Sequence, residues 1–194
     1  MWCAFNNPLV RQTLCVGMIL QATKQMVGLE PLIYNESKLD LGWVYTIFSF
    51  GFMALSQIIQ YLIIDKISRK KILMVSFILI HLSLFSLGIA SLGEPPNAAF
   101  TFLVSEIYIM IQSVCLTTST ILSNEIYSTT YRGIGVGLGE GCSWLVHLLI
   151  TINFFYLKNV VGIIGCLFLS SAFSALAVKL VYSLVSERLG QPLH

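Results

Sequence analysis

The residues of this chain best placed to do chemistry are a few ionisable side chains inside long apolar runs. Lys24 and Glu30 share one run, Glu106 sits in another, and Glu140 and His147 share a third. A charge in hydrocarbon costs ~3 kcal/mol or more unless it faces a cavity or a partner, so these positions are candidates for a binding cavity. Glu140 and Trp144 are four residues apart and share one face of a helix. A carboxylate one turn from an indole can seat an organic cation by charge attraction and cation–π contact. With Lys24 and Glu30, they form the candidate substrate-binding set. The alternative is that Glu140 pairs with Lys24 across the bundle while Trp144 packs or faces lipid. His81 and His147 read as hydrogen-bonded core residues.

A second group of charges falls between the apolar runs. Asp65, Lys66, Arg69, Lys70 and Lys71 place one acid before a basic cluster. Such a hairpin either locks helix ends together by charge pairing or anchors topology beside anionic lipid. Glu125 and Arg132, seven residues apart, could pair with each other or with the basic hairpin, or remain solvated. Asp65, Arg69, Glu125 and Arg132 are therefore candidate conformational latches. No G-x-S-x-G, H-E-x-x-H or carboxylate–nucleophile constellation occurs, so no catalytic residue, metal or cofactor is expected and an enzyme is the weakest class. The glycines at 133, 135, 137, 139 and 141 form overlapping small-xxx-small patterns that permit close helix approach.

These side chains need helices in lipid to position them. Of the 194 residues, 56% are hydrophobic and 10% are charged, against roughly 25% charged in soluble domains; the mean hydropathy is +0.83. A water-soluble domain is excluded, and a net charge of +2 gives no reason to expect nucleic acid. A spanning helix needs ~20 apolar residues, and spans are predicted over 14–34, 41–64, 72–92, 98–123, 134–157 and 160–183. The first is a broken helix interrupted by Gly28 and Pro31. The fold class is thus all-α, a single six-helix membrane domain over 1–194. Cys3, Cys15, Cys115, Cys142 and Cys166 lack metal-like or disulfide-like spacing and read as small buried hydrophobes.

Arg11, Lys66, Arg69, Lys70, Lys71, Arg132, Lys179 and Arg188 fall on one side and Lys38 and Lys158 on the other. The positive-inside rule then places both termini in the cytoplasm. No signal peptide is read at the start, so the first span is expected to act as its own insertion signal. Asn35-Glu36-Ser37 is a formal glycosylation sequon on the outer side, expected to be unmodified because it lies so near the membrane.

Several stretches resemble a known family. Asp65-Lys66-Ile67-Ser68-Arg69-Lys70 resembles the D-R/K-x-G-R-R/K loop of the major facilitator superfamily, with Ser68 for the usual glycine. The run from Glu125 to Arg132, followed by Gly133-Ile134-Gly135-Val136-Gly137, is similar to the E-L-Y-P-T-x-x-R-x-x-G-x-G stretch of organic ion transporters, with Ser128 for the proline. Glu187 to Leu193 resembles that family's E-T-L-G-Q-P-L ending, and Arg11 to Cys15 resembles the R-R-T-L-C sequence leading into its seventh helix. Sugar porters share the hairpin and the Glu-to-Arg step. The resemblance implies the C-terminal six-helix half of an alternating-access carrier for small organic cations, anions or zwitterions, with charged cytoplasmic loops as latches. In that family a charged residue twelve positions after the motif arginine bears on substrate sign; Trp144 stands there. The implied partners are a small organic ion, the lipid bilayer, and a missing N-terminal half, a second copy or a related transporter, in the plasma membrane. Two alternatives are a truncated, non-transporting chain that regulates a full-length relative and a sugar porter fragment.

Overall fold

The computed structural model describes residues 8–27, 42–93 and 98–185, and the regular elements among them are all α-helices. They are α1 (Pro8–Met26), α2 (Gly42–Ile63), α3 (Arg69–Ala90), α4 (Ala98–Ile126) and a last element, Arg132–Leu184. That last element breaks at Gly162, whose φ of 75° and ψ of 172° are non-helical, into α5 (132–161) and α6 (163–184). A residue with a Cβ is strained at such a φ, whereas glycine is not. The sequence placed the separation of the last two spans at Lys158 and Asn159, but both are helical. Polar residues mark where water begins; only Gly162 can turn the backbone sharply.

Glu30, the Asn35 sequon, Lys38 and the 186–194 tail lie outside the described residues. α1 starts at Pro8, ahead of the predicted span, where a proline is pre-organised for a first helical turn. Thr46–Ile63, Arg69–Ala90, Ala99–Ile126 and Arg132–Leu184 are long and apolar enough to cross a membrane, by length and composition. α1 is less apolar because Arg11, Gln12, Gln21, Lys24 and Gln25 interrupt it.

α4 packs against α1, α2 and α3, while the α5–α6 pair packs against α1 and α3. The core is built from Leu73, Phe77, Ile80, Leu84 and Leu87 of α3, Tyr108, Cys115 and Leu122 of α4, and Leu167, Ala177 and Val181 of α6. Cross-helix partners give the directions. Ser49–Glu106, Ser56–Ser113 and Gln60–Thr118 keep separations of 57, 57 and 58 residues, so α2 and α4 run parallel. Gln21–Ser123 and Lys24–Thr120 have falling separations of 102 and 96, so α1 and α4 are antiparallel. The start of α1, the α2–α3 hairpin, the α4–α5 turn and the end of α6 consequently gather at one end of the bundle.

Two expectations are corrected. Gly135 and Gly139 face neighbouring side chains, but a Cβ at Gly133, Gly137 or Gly141 would meet nothing within 4 Å. A two-residue alternation on a 3.6-residue helix sends these glycines to different faces. Cys115 and Cys166 are buried, whereas Cys142 is half-buried and Cys15 is exposed. In lipid an outward-facing thiol costs little, so apolar surroundings in sequence do not require burial in protein.

Candidate functional site: a polar seam and a charged latch

The polar seam begins with the spacing of Gln21, Lys24 and Gln25, which at i, i+3 and i+4 occupy one side of α1. Gln21 Nε2 donates to Ser123 Oγ at 2.6 Å, and Gln25 Nε2 donates to Ser143 Oγ at 3.0 Å. Between them Lys24 Nζ donates to Thr120 Oγ1 and to Glu140 Oε1, each at 3.1 Å. α1 is therefore tied to both α4 and α5 within two turns. On the other flank of α4, Gln57 donates to the Ser113 hydroxyl and accepts from Thr117 Oγ1 at 3.1 Å, and Gln60 Nε2 donates to Thr118 Oγ1 at 2.9 Å. Amide and hydroxyl partners across helices contribute roughly 0.6–2 kcal/mol each in a membrane.

The candidate substrate residues do not all meet. Lys24 and Glu140 form an ion pair at 3.1 Å, which is the pairing that the sequence left open as an alternative. Glu140 lies ~12 Å along α5 from its start at the 1.5 Å helical rise, deep enough that neither charge could stand alone at low cost. Trp144, one turn on, is exposed and meets His147 edge-on at 5.9 Å between ring centroids. Glu106 is buried and accepts from Ser49 Oγ at 2.7 Å on the α2 side of α4, away from Lys24.

At the gathered end, three cations open α3 (Arg69, Lys70 and Lys71), where the helix dipole disfavours positive charge. Acids offset this. Arg69 Nη1 contacts Glu125 Oε1 at 2.8 Å and its Nη2 lies 3.9 Å from Asp65 Oδ1. Of the two pairings open to Glu125, the structure has the one with the hairpin. Arg132 is exposed at the start of α5, and no ion pair among the described residues reaches it. Lys70 Nζ sits 5.3 Å over the Tyr182 ring and 3.4 Å from the Tyr182 carbonyl oxygen, tying the hairpin to α6.

The sequence offered no role for Tyr127, which fills the α4–α5 turn. It is 3% exposed. A Cβ on Gly17 of α1 would collide with its phenol oxygen, and one on Gly135 of α5 would come 2.7 Å from its ring. Both glycines are thus required by this one side chain, whose hydroxyl is buried without a hydrogen-bond partner. Burial pushes the phenol above its ordinary range. The glutamines of the seam form a second group without a role assigned from sequence. Their signal was available: uncharged amides recurring in otherwise apolar helices at Gln21/Gln25 and Gln57/Gln60.

A cavity of about 310 Å³ lies apart from the seam, between α5 and α6, lined by Val146, Ile150, Phe154, Leu169 and Phe173 among others. Its apolar walls offer little to a polar solute.

Comparison with known proteins places the chain. The family model described as "Sugar (and other) transporter" matches residues 2–194. The putative metabolite transport protein YfiG of Bacillus subtilis is 24% identical over 97% of this chain and 42% of its own length. Inositol transporter 4 of Arabidopsis thaliana is 19% identical over 96% of this chain and 49% of its own, and the probable polyol transporter 4 of the same plant is 27% identical over 96% and 38%. The chain therefore spans less than half the length of these relatives. The matches support the superfamily expected from the hairpin and the Glu-to-Arg step, and not its organic ion branch specifically, because both motifs are shared with sugar porters. With a family match along nearly its whole length and apolar helices of spanning size, this chain is a multi-pass membrane protein of the sugar (and other) transporter family within the major facilitator superfamily.

Proposed function

We propose that this chain is the C-terminal six-helix half of an alternating-access carrier for small polyhydroxylated solutes, inositol-like polyols or sugars. The observation that carries this reading is the Lys24–Glu140 pair. It cancels the charges on the α1–α4–α5 seam and leaves amides and hydroxyls, the groups that match a polyol's own donors and acceptors. Relatives named for inositol, polyol and D-xylose transport support the same solute class. Gln21 and Gln112 each keep a buried amide oxygen without a donor, a shortage that opening the seam to water or a hydroxyl would relieve. Lys24, Glu140 and Trp144 are proposed to line the solute path, with Glu30 as the further candidate.

Asp65, Arg69 and Glu125 are proposed to latch the gathered end, which the excess of Lys and Arg assigns to the cytoplasm; Arg132 is the fourth candidate there. Both termini then face the cytoplasm, in the plasma membrane. The complement to the seam is proposed to be a preceding six-helix half, a second copy or a related transporter.

Uptake of labelled myo-inositol and D-xylose, beside a quaternary ammonium and an aromatic carboxylate, tests the proposal in cells expressing the chain. The expected result is polyol or sugar uptake with indifference to the organic ions. Ion uptake without polyol uptake would restore the organic ion reading that the sequence motifs favour.

A further inference from the structure

The Lys24–Glu140 pair is lopsided in its surroundings. The Lys24 side chain is 6% exposed and that of Glu140 is 35% exposed. The ammonium sits behind, against Thr120 of α4, and the carboxylate sits in front with surface still open. The pair is thus a fixed dipole whose negative end faces outward. One turn further along α5, the exposed Trp144 adds a ring whose face also attracts cations. No other acid–base pair among the described residues joins α1 to α5.

We infer that this oriented pair is a sign filter, admitting neutral and ammonium-bearing polyols and excluding carboxylate-bearing ones. The inference rests on the reading of the seam as the solute path. A carboxylate entering the seam meets Glu140 first and is repelled. To reach Lys24 it would have to displace Glu140, leaving that carboxylate unpaired at a depth where ions are poorly tolerated. An ammonium group instead finds the open side of Glu140 without disturbing its bond to Lys24. Neutral hydroxyls find acceptor and donor groups on the flanking Gln25 and Thr120.

The test is competition against labelled myo-inositol uptake by glucosamine and by glucuronate, two probes of similar size and opposite charge. In the wild-type chain glucosamine is expected to compete at least ~10-fold better than glucuronate, a discrimination equivalent to about 1.4 kcal/mol. Glu140→Gln leaves Lys24 as the only charge of the pair and should reverse the preference. Where that variant fails to reach the membrane, the doubly neutral Lys24→Gln/Glu140→Gln chain decides, and its two competitors should come within about twofold of each other. A wild-type preference for glucuronate, or a ratio unchanged in the doubly neutral variant, overturns the filter alone. Absence of any polyol or sugar uptake by the wild-type chain overturns the carrier reading and the filter with it.

Discussion

The α3–α6 contact and the α1–α4–α5 seam hold the same bundle together by different physics. Between α3 and α6 the contact is mostly apolar: Phe77, Leu84, Leu167 and Val181 belong to one core, and Gly88 lets the Phe168 ring approach. A polar insertion within it is His81, whose Nδ1 lies 2.8 Å from Ser171 Oγ. The seam instead joins its helices by amides, hydroxyls and one ion pair. Apolar packing in lipid depends on shape, since lipid tails compete equally well for apolar surface. Polar bonds can be exchanged for bonds to water or solute. The first contact suits a scaffold, and the second suits the opening proposed for the solute path.

That contrast yields measurable differences, read as thermal unfolding in a membrane mimetic. The largest is expected at the pair: Glu140→Gln should destabilise by about 4 kcal/mol because it strands a buried ammonium. Adding Lys24→Gln should recover much of the loss, and a double variant no better than the single one would show that the seam relies on shape after all. Phe77→Ala in the scaffold should cost ~3 kcal/mol, chiefly through the cavity it leaves, with no second substitution on α6 that rescues it by neutralisation. Gly17→Ala, which drives a methyl into Tyr127, should cost ~2 kcal/mol, whereas Gly137→Ala, facing open space, should be neutral or slightly stabilising. The smallest effect is expected at the proposed latch. Arg69→Gln removes a pair whose members are both about one-third exposed, and should cost less than ~1 kcal/mol of stability while shifting transport kinetics more than unfolding.

Much of the architecture was legible because lipid imposes a simple rule: backbone polar groups must be satisfied within each span, so long apolar runs become helices. The ion pairing at the gathered end was half legible. Asp65, Arg69 and Glu125 announced themselves as charges between spans, but a loop charge has several possible partners and spacing alone could not choose Arg69 for Glu125. Tyr127 stands in the Glu125–Arg132 motif, but its packing role was not legible there, since it depends on Gly17, more than a hundred residues earlier.

Composition and the lengths of the apolar runs by themselves determined that this chain is a helical membrane bundle with its basic residues gathered at one end, because both follow from transfer energies that act on each segment separately. Which intramembrane charge meets which, and which member of the pair is left open, was decided only in the tertiary structure. Lys24 and Glu140 are 116 residues apart, and it takes the parallel packing of α1 against α5 to turn a buried ammonium and a half-buried carboxylate into one oriented dipole.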